Sequence, residues 1–304
     1  LPGKSRKERE LLMEHSELLK KVRKIEIKTR GLSRNIFAGE YHSAFKGRGM
    51  AFSEVREYQY GDDIRSIDWN VTARYNKPFI KIFEEERELT SMLLIDVSGS
   101  SNFGTFDKYK KDVITEIAAT IAFSAIENND KIGVIFFSDK IEKFIPPKKG
   151  RSHILRIIRE LVDFRPESQG TNVKLALEYL TNAIKKRCTA FVISDFIDDN
   201  KELQRALNIA NNRHDVVGLR IFDERESSLP PIGMVKMKDA ETGKYVWVDT
   251  SNPSVRGYYS HWWKELSQQL DNAFTKSGVD YVAINTREDY VRSLMTLFKK
   301  RVSR

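Results

Sequence analysis

From residue 91 onward the chain alternates short apolar runs with stretches long enough to be helices, and this alternation constrains the fold more than any other feature. MLLID, KIGVIFF, AFVIS, DVVGLRIF and VDYVAI are rich in strand-forming residues. Helices are predicted near 107–128, 151–163, 172–186, 200–212, 258–276 and 288–299. Strands separated by helices of roughly ten or more residues require right-handed crossovers and a largely parallel sheet covered on both faces. The expected class is therefore α/β, with a doubly wound, mostly parallel sheet. Residues 233–250, GMVKMKDAETGKYVWVDT, interrupt the pattern and predict a β-hairpin inserted between a strand and the next helix.

The first part of the chain reads differently. Residues 8–29 place Leu11, Leu18, Val22 and Ile25 on one helical stripe, with Gly31 as the expected stop. The stripe is narrow and lacks Trp or Phe anchors, which favours a helix laid on its own domain over one lying in a membrane surface. Residues 39–87 mix short alternating stretches, several glycines and charges of both signs, a pattern expected of hairpins. Within GDDIRSIDWNVTAR, Asp62, Asp63, Arg65, Asp68 and Arg74 are read as ion pairs that fix the chain, since no His or Cys accompanies them for acid–base work. The expected division is an extension over 1–88 and an α/β domain over 89–304.

Composition narrows the classes further. No run approaches the roughly 18 apolar residues of a membrane-spanning helix, and LPGKSRKERE contains no apolar signal core. The expectation is a cytoplasmic chain, peripheral to a membrane at most. Cys188 is the single cysteine, which excludes an intrachain disulfide and a cysteine-cluster zinc site. The net charge is +9, and residues 1–50 carry thirteen Lys and Arg against six Asp and Glu. Such an arm is either a solvated helix face or an electrostatic contact for nucleic acid or anionic membrane.

The chemistry concentrates after the first strand of the α/β segment. In LLIDVSGSSNFG, Asp96, Ser98 and Ser100 share a face if the chain stays extended. Ligands of open α/β sheets bind at the carboxyl ends of the strands, where strand order reverses. AFVIS delivers Asp195 there, and ESQGTNV presents Thr171 ahead of a helix, where its hydroxyl is also the expected N-cap. Two carboxylates and three hydroxyls without thiolate or imidazole form an oxygen-only set suited to Mg²⁺, Mn²⁺ or Ca²⁺ rather than Zn²⁺. Neutral hydroxyls leave such an ion electrophilic towards a carboxylate from outside.

This set resembles the metal-ion-dependent adhesion site of von Willebrand factor A domains. The resemblance implies that Ser98, Ser100 and Thr171 are direct ligands and that Asp96 and Asp195 hold the ion directly or through water, with Mg²⁺ or Mn²⁺ preferred over Ca²⁺. Many such sites continue D-x-S-x-S-M, whereas here Ser101 follows Ser100. The upstream block GEYHSAFKGRGMAFSEVREYQYGDDIRSIDWNVTARYNKPFIKIFEEERE resembles the bacterial family labelled domain of unknown function 58, in which such a block precedes an A domain. The likeness covers roughly residues 30–300. It implies a protein partner that presents Asp or Glu, association with a MoxR-type AAA+ ATPase, and no enzymatic activity.

Competing chemistries find less support in the residues. A haloacid-dehalogenase-type phosphatase needs a carboxylate where Ser98 stands, and a serine hydrolase needs G-x-S-x-G with a histidine partner. No G-x-x-x-x-G-K-[ST] loop is present. His15, His42, His153, His214 and His261 show no metal-ligand spacing, and Cys188 is expected to be a small core residue. Trp262 and Trp263 are adjacent on a predicted helix, so only one of them can face the core.

Overall fold

The computed structural model describes residues 20–32, 41, 50–85, 89–104, 109–197, 202–238 and 244–302. They fall into two compact units, Leu1–Ala44 with Thr90–Arg304, and Phe45–Leu89. The helix at 20–32 thus counts with the α/β unit, whereas the expected division at 88 assigned it to the extension.

In the smaller unit, β1 (Met50–Glu57) pairs antiparallel with β2 (Phe79–Glu85). The connection between them is longer than a hairpin turn and contains a helix, α2 (Trp69–Tyr75). Asp68 caps α2 by accepting from the N–H groups of Asn70 and Val71, and Asn76 ends it in the left-handed region at φ 53°. Arg56 grips Asp62 through both carboxylate oxygens at 2.9 and 2.8 Å, which holds that carboxyl below its usual range. Asp63 pairs with Arg65, and Asp68 lies 3.5 Å from Lys81. The acidic cluster is therefore tied up in capping and ion pairs.

The larger unit is built on one six-stranded sheet. Its strands are β3 (Thr90–Asp96), β4 (Lys131–Phe137), β5 (Ile141–Lys148), β6 (Thr189–Ser194), β7 (Asp215–Phe222) and β10 (Asp280–Asn285). They lie in the order β10-β7-β6-β3-β4-β5. All neighbours are parallel except the β4–β5 edge pair. The chain steps outward from β3 to β4 and β5, then returns to the other side of β3 to lay down β6, β7 and β10. Strand order reverses between β3 and β6, which end at Asp96 and Ser194, the position at which open α/β sheets place their ligand sites.

Helices cover both faces. On one, Met92, Leu94, Val192 and Ala190 meet Val173, Ala176, Leu177 and Leu180 of α5 (Val173–Ala183) and Leu203, Ala206 and Leu207 of α6 (Leu203–Arg213). Leu266, Leu270 and Phe274 of α8 (Pro253–Lys276) complete this layer. Alternate strand residues, including Leu93, Ile95, Phe136 and Phe191, face the other side and are equally buried. There Phe136 stacks on Phe164, and Tyr41 packs between Phe191 and Phe298 while sharing a 2.6 Å hydrogen bond with Ser91. Helices α3 (Lys110–Glu127), α4 (Arg151–Asp163) and α9 (Tyr290–Val302) supply further buried apolar residues.

The N-terminal helix, α1 at 20–32, buries Val22 and Thr29. It is pinned by Lys28 to Glu116 at 2.6 Å and by Arg151 Nε to Glu26 at 2.8 Å. It runs through Gly31, which therefore does not stop it, and Leu11 and Leu18 of the expected stripe lie outside the described residues. After β7 comes α7, one short turn (Glu224–Ser227), and then the expected inserted hairpin, β8 (Met234–Lys238) paired antiparallel with β9 (Tyr245–Asp249). Helix α8 begins five residues earlier than expected because Asn252 caps it and Pro253 occupies its first turn. Trp263 is buried against the Arg220 guanidinium, 4.6 Å from the ring centroid, while Trp262 stays partly exposed beside Tyr259.

Candidate metal centre

Asp96 ends β3 with its side chain only 3% exposed. Its Oδ1 accepts from the Ser98 N–H at 2.9 Å, and its Oδ2 accepts from Ser194 Oγ at 2.5 Å. The first bond turns the chain out of the strand, and the next residues form a short 3-10 turn at Gly99–Asn102. That turn brings Ser98 Oγ and Ser100 Oγ to 3.1 Å from one another. Ser101, which stands where many adhesion sites carry Met, donates its hydroxyl to the Ser98 carbonyl at 2.8 Å and so braces the turn.

Asp195 arrives from the end of β6, where the nearby Ser100 side chain helps to lower its pKa. The next residue, Phe196, sits at φ 55°, a left-handed conformation unusual for a bulky side chain. The Phe196 ring is buried edge-on against Phe274 at 5.2 Å, which anchors this backbone conformation. Asp96, Ser98, Ser100 and Asp195 are thereby brought into one cluster at the strand-order reversal.

Thr171 lies on a loop stitched to the same turn by the Gly99 N–H, which donates to the Gln169 carbonyl at 2.9 Å. The expectation that Thr171 caps the following helix does not hold. Asn172 is the cap, accepting from the Leu175 N–H at 2.9 Å. Released from capping, Thr171 is 8% exposed and its Oγ1 is buried without a hydrogen-bond partner. Such an atom costs stability unless something fills its coordination.

Lys110 and Glu226 complete the surroundings, and neither was expected from the sequence. Lys110 is the first residue of α3 and is 1% exposed. Its Nζ donates to Asp195 Oδ2 at 2.7 Å and to Glu226 Oε1 at 2.6 Å. Burial and the charge of Asp195 together push the Asp96 carboxyl up to about 7, with the Ser194 and Ser98 bonds opposing. Burial acts the same way on Asp195, but the Lys110 ammonium outweighs it and holds Asp195 below its usual range. The Lys110 ammonium itself is held above its usual range, since its two carboxylate partners outweigh burial.

The donor set fits a hard divalent cation: two carboxylates, a hydroxyl pair, and a threonine hydroxyl that lacks any hydrogen-bond partner. Among the described residues, no group of three or more His, Cys, Asp or Glu is arranged to hold a metal, so an ion at this site would depend on hydroxyls. His153 and His214 are engaged elsewhere, with the Ile132 carbonyl and Cys188 respectively.

Residues 54–269 match the family described as "Protein of unknown function DUF58", and the chain belongs to that family. It is similar to uncharacterized protein Rv1480 of Mycobacterium tuberculosis, 26% identical over 282 residues, covering 92% of this chain and 88% of that protein. Uncharacterized protein YeaD of Bacillus subtilis is 28% identical over 109 residues, or 36% of this chain and 25% of that one. Among solved structures, an aerotolerance-related membrane protein from Bacteroides fragilis aligns with TM-score 0.48 and 15% identity over 71% of this chain and 98% of its own. The SpRpn10 VWA domain aligns with TM-score 0.39 and 14% identity over 70% and 95%. The doubly wound sheet itself is established by the strand order of this chain. Among the described residues no helix is long and apolar enough to cross a membrane.

Proposed function

We propose that the chain is a metal-dependent protein-interaction module. Ser98, Ser100 and Thr171 would hold Mg²⁺ or Mn²⁺ directly, Asp96 and Asp195 would hold it directly or through water, and an Asp or Glu of a protein partner would complete the coordination. The bound ion supplies a strong electrostatic bridge between two carboxylate-bearing surfaces. Around it, Asp195 would supply the standing negative charge, Ser101 and Ser194 fix the serine turn and Asp96, and the surface around the site sets which partner fits. The observation that carries this reading is Thr171 Oγ1, a buried oxygen with no protein partner on the loop tied to the serine turn. Binding is favoured over catalysis because His153 and His214 are engaged elsewhere and the carboxylates of Asp195 and Glu226 are tied to the Lys110 ammonium. The family resemblance supports a complex served by a MoxR-type AAA+ ATPase as the setting.

Calorimetric titration of chelator-stripped protein with Mg²⁺ and Mn²⁺, alongside Asp96→Ala, tests the site. Saturable binding of one ion, lost in a folded Asp96→Ala variant, is the expected result. Absence of binding at millimolar ion, together with partner capture that ignores chelator, would remove the reading.

A further inference from the structure

We propose that Lys110 is an internal counter-cation that holds down the affinity of the site for a divalent ion, an inference that rests on the metal reading above. The Lys110 side chain is buried and its ammonium sits against an oxygen of Asp195. The other oxygen of Asp195 accepts from the Ile197 N–H at 3.2 Å, so both are engaged by donors of this chain. A divalent ion arriving beside Asp195 meets a fixed positive charge in a water-poor setting, where like charges repel far more strongly than in solvent.

The local architecture keeps that charge in place. A buried lysine is tolerated only with partners, and Lys110 has two, Asp195 and Glu226. Glu226 is oriented from its far side by the Asp223 N–H, which donates to Oε2 at 2.8 Å, and Asp223 in turn accepts from Thr286 Oγ1 at 2.9 Å. A neutral donor in place of Lys110 would satisfy Asp195 equally well as a hydrogen-bond partner. What the ammonium adds is charge, and that charge opposes a metal. The site is thereby set to bind its ion weakly until a partner carboxylate adds its own negative charge.

The test is a calorimetric titration of the full chain with MnCl2 after chelator stripping, with ion-induced shifts in thermal unfolding as the second readout. Lys110→Met should tighten Mn²⁺ binding by about tenfold or more, and Lys110→Arg, which keeps the charge, should stay within about threefold of the unaltered protein. Glu226→Gln removes a negative charge and keeps an acceptor for only one of the two donors that Glu226 now serves, so it should weaken binding; it serves as the test if Lys110→Met fails to fold. Binding seen only in Lys110→Met would also support the proposal, as complete internal competition. Unchanged or weaker binding in Lys110→Met, unchanged binding in Glu226→Gln, or equal tightening by Lys110→Arg would overturn the role of Lys110 and leave the metal reading standing. Absence of ion binding in the unaltered protein and in every variant would overturn both.

Discussion

The hydroxyl of Ser194 donates to Asp96 Oδ2 at 2.5 Å across 98 residues of chain, so the ends of two neighbouring parallel strands are fastened at the point where the sheet reverses direction. Ser194 Oγ also accepts from the Phe196 N–H at 3.0 Å, which ties this hydroxyl to the left-handed residue after Asp195. Ser194→Ala should cost about 1–3 kcal/mol, because it strands a buried carboxyl and a buried N–H. Urea unfolding is the measurement; a lowered midpoint with an unchanged slope is expected, and an unshifted midpoint would contradict it.

Thr171 should behave in the opposite way. Its Oγ1 is buried and unpartnered, so Thr171→Val, which keeps the shape and removes the hydroxyl, should be neutral or stabilising by about 1 kcal/mol without divalent ions. With Mn²⁺ present, the same variant should lose most of the ion-induced rise in melting temperature. Thermal unfolding with and without Mn²⁺ separates these effects, and a variant destabilised under both conditions would show that the hydroxyl has a structural partner.

Gly218, in the middle of β7, lies under the ring of Phe274. A Cβ there would come within 2.6 Å of that ring, which is stacked on Tyr281 at 4.3 Å and edge-on to Phe196 at 5.2 Å. The ring has little room to retreat, so Gly218→Ala should destabilise by about 1–3 kcal/mol, as overpacked cores do. Chemical denaturation gives the value directly, and a tolerated alanine would mean that α8 is free to shift off the sheet.

Two buried histidines give the protein a sensitivity to mild acid. Burial lowers the pKa of His153, reinforced by Arg156 and Lys148 and opposed by the bond to the Ile132 carbonyl. Burial likewise lowers that of His214, reinforced by Arg213 and Arg187. A histidine depressed in the folded state adds stability that is present above its unfolded pKa, about 6.5, and is lost as pH falls through the folded value. Asp96 runs the other way, since a carboxyl raised to about 7 adds stability at low pH that is lost as pH rises towards that value. The comparison that isolates the histidines is unfolding free energy against pH for the unaltered protein and for a His153→Gln, His214→Gln double variant. The double variant should show a smaller loss of stability as pH falls below 6.5; parallel curves would rule out the contribution.

The strands that proved easiest to read are those whose composition leaves one solution. KIGVIFF and DVVGLRIF form strands over the expected residues, because continuous β-forming runs too short for helices fit only a covered parallel sheet. The edge strand IEKFIPPK escapes such reading, since its charges and paired prolines argue against a strand until an edge position is known. Asp96, Ser98 and Ser100 were legible as a group from their place after a strand, but a 3-10 turn, and not the extended backbone that the two-residue spacing assumed, brings the two serine hydroxyls together. Lys110 was not visible, since a lysine opening a helix normally reads as solvated, and its partners lie 85 and 116 residues away. The Thr171 cap failed for a local reason, because the adjacent Asn172 is a better cap and takes the position.

The antiparallel edge strand bears on how this domain can meet other chains. Pro146 and Pro147 leave β5 without two backbone donors, and the register slips opposite them beside Gly133, where a Cβ would come within 2.9 Å of the Pro147 nitrogen. A strand from another molecule seeking to extend the sheet here would find a broken, kinked template. The edge therefore acts as a guard against domain swapping and fibril-like stacking, and at this border association must rely on side chains rather than on shared backbone ladders.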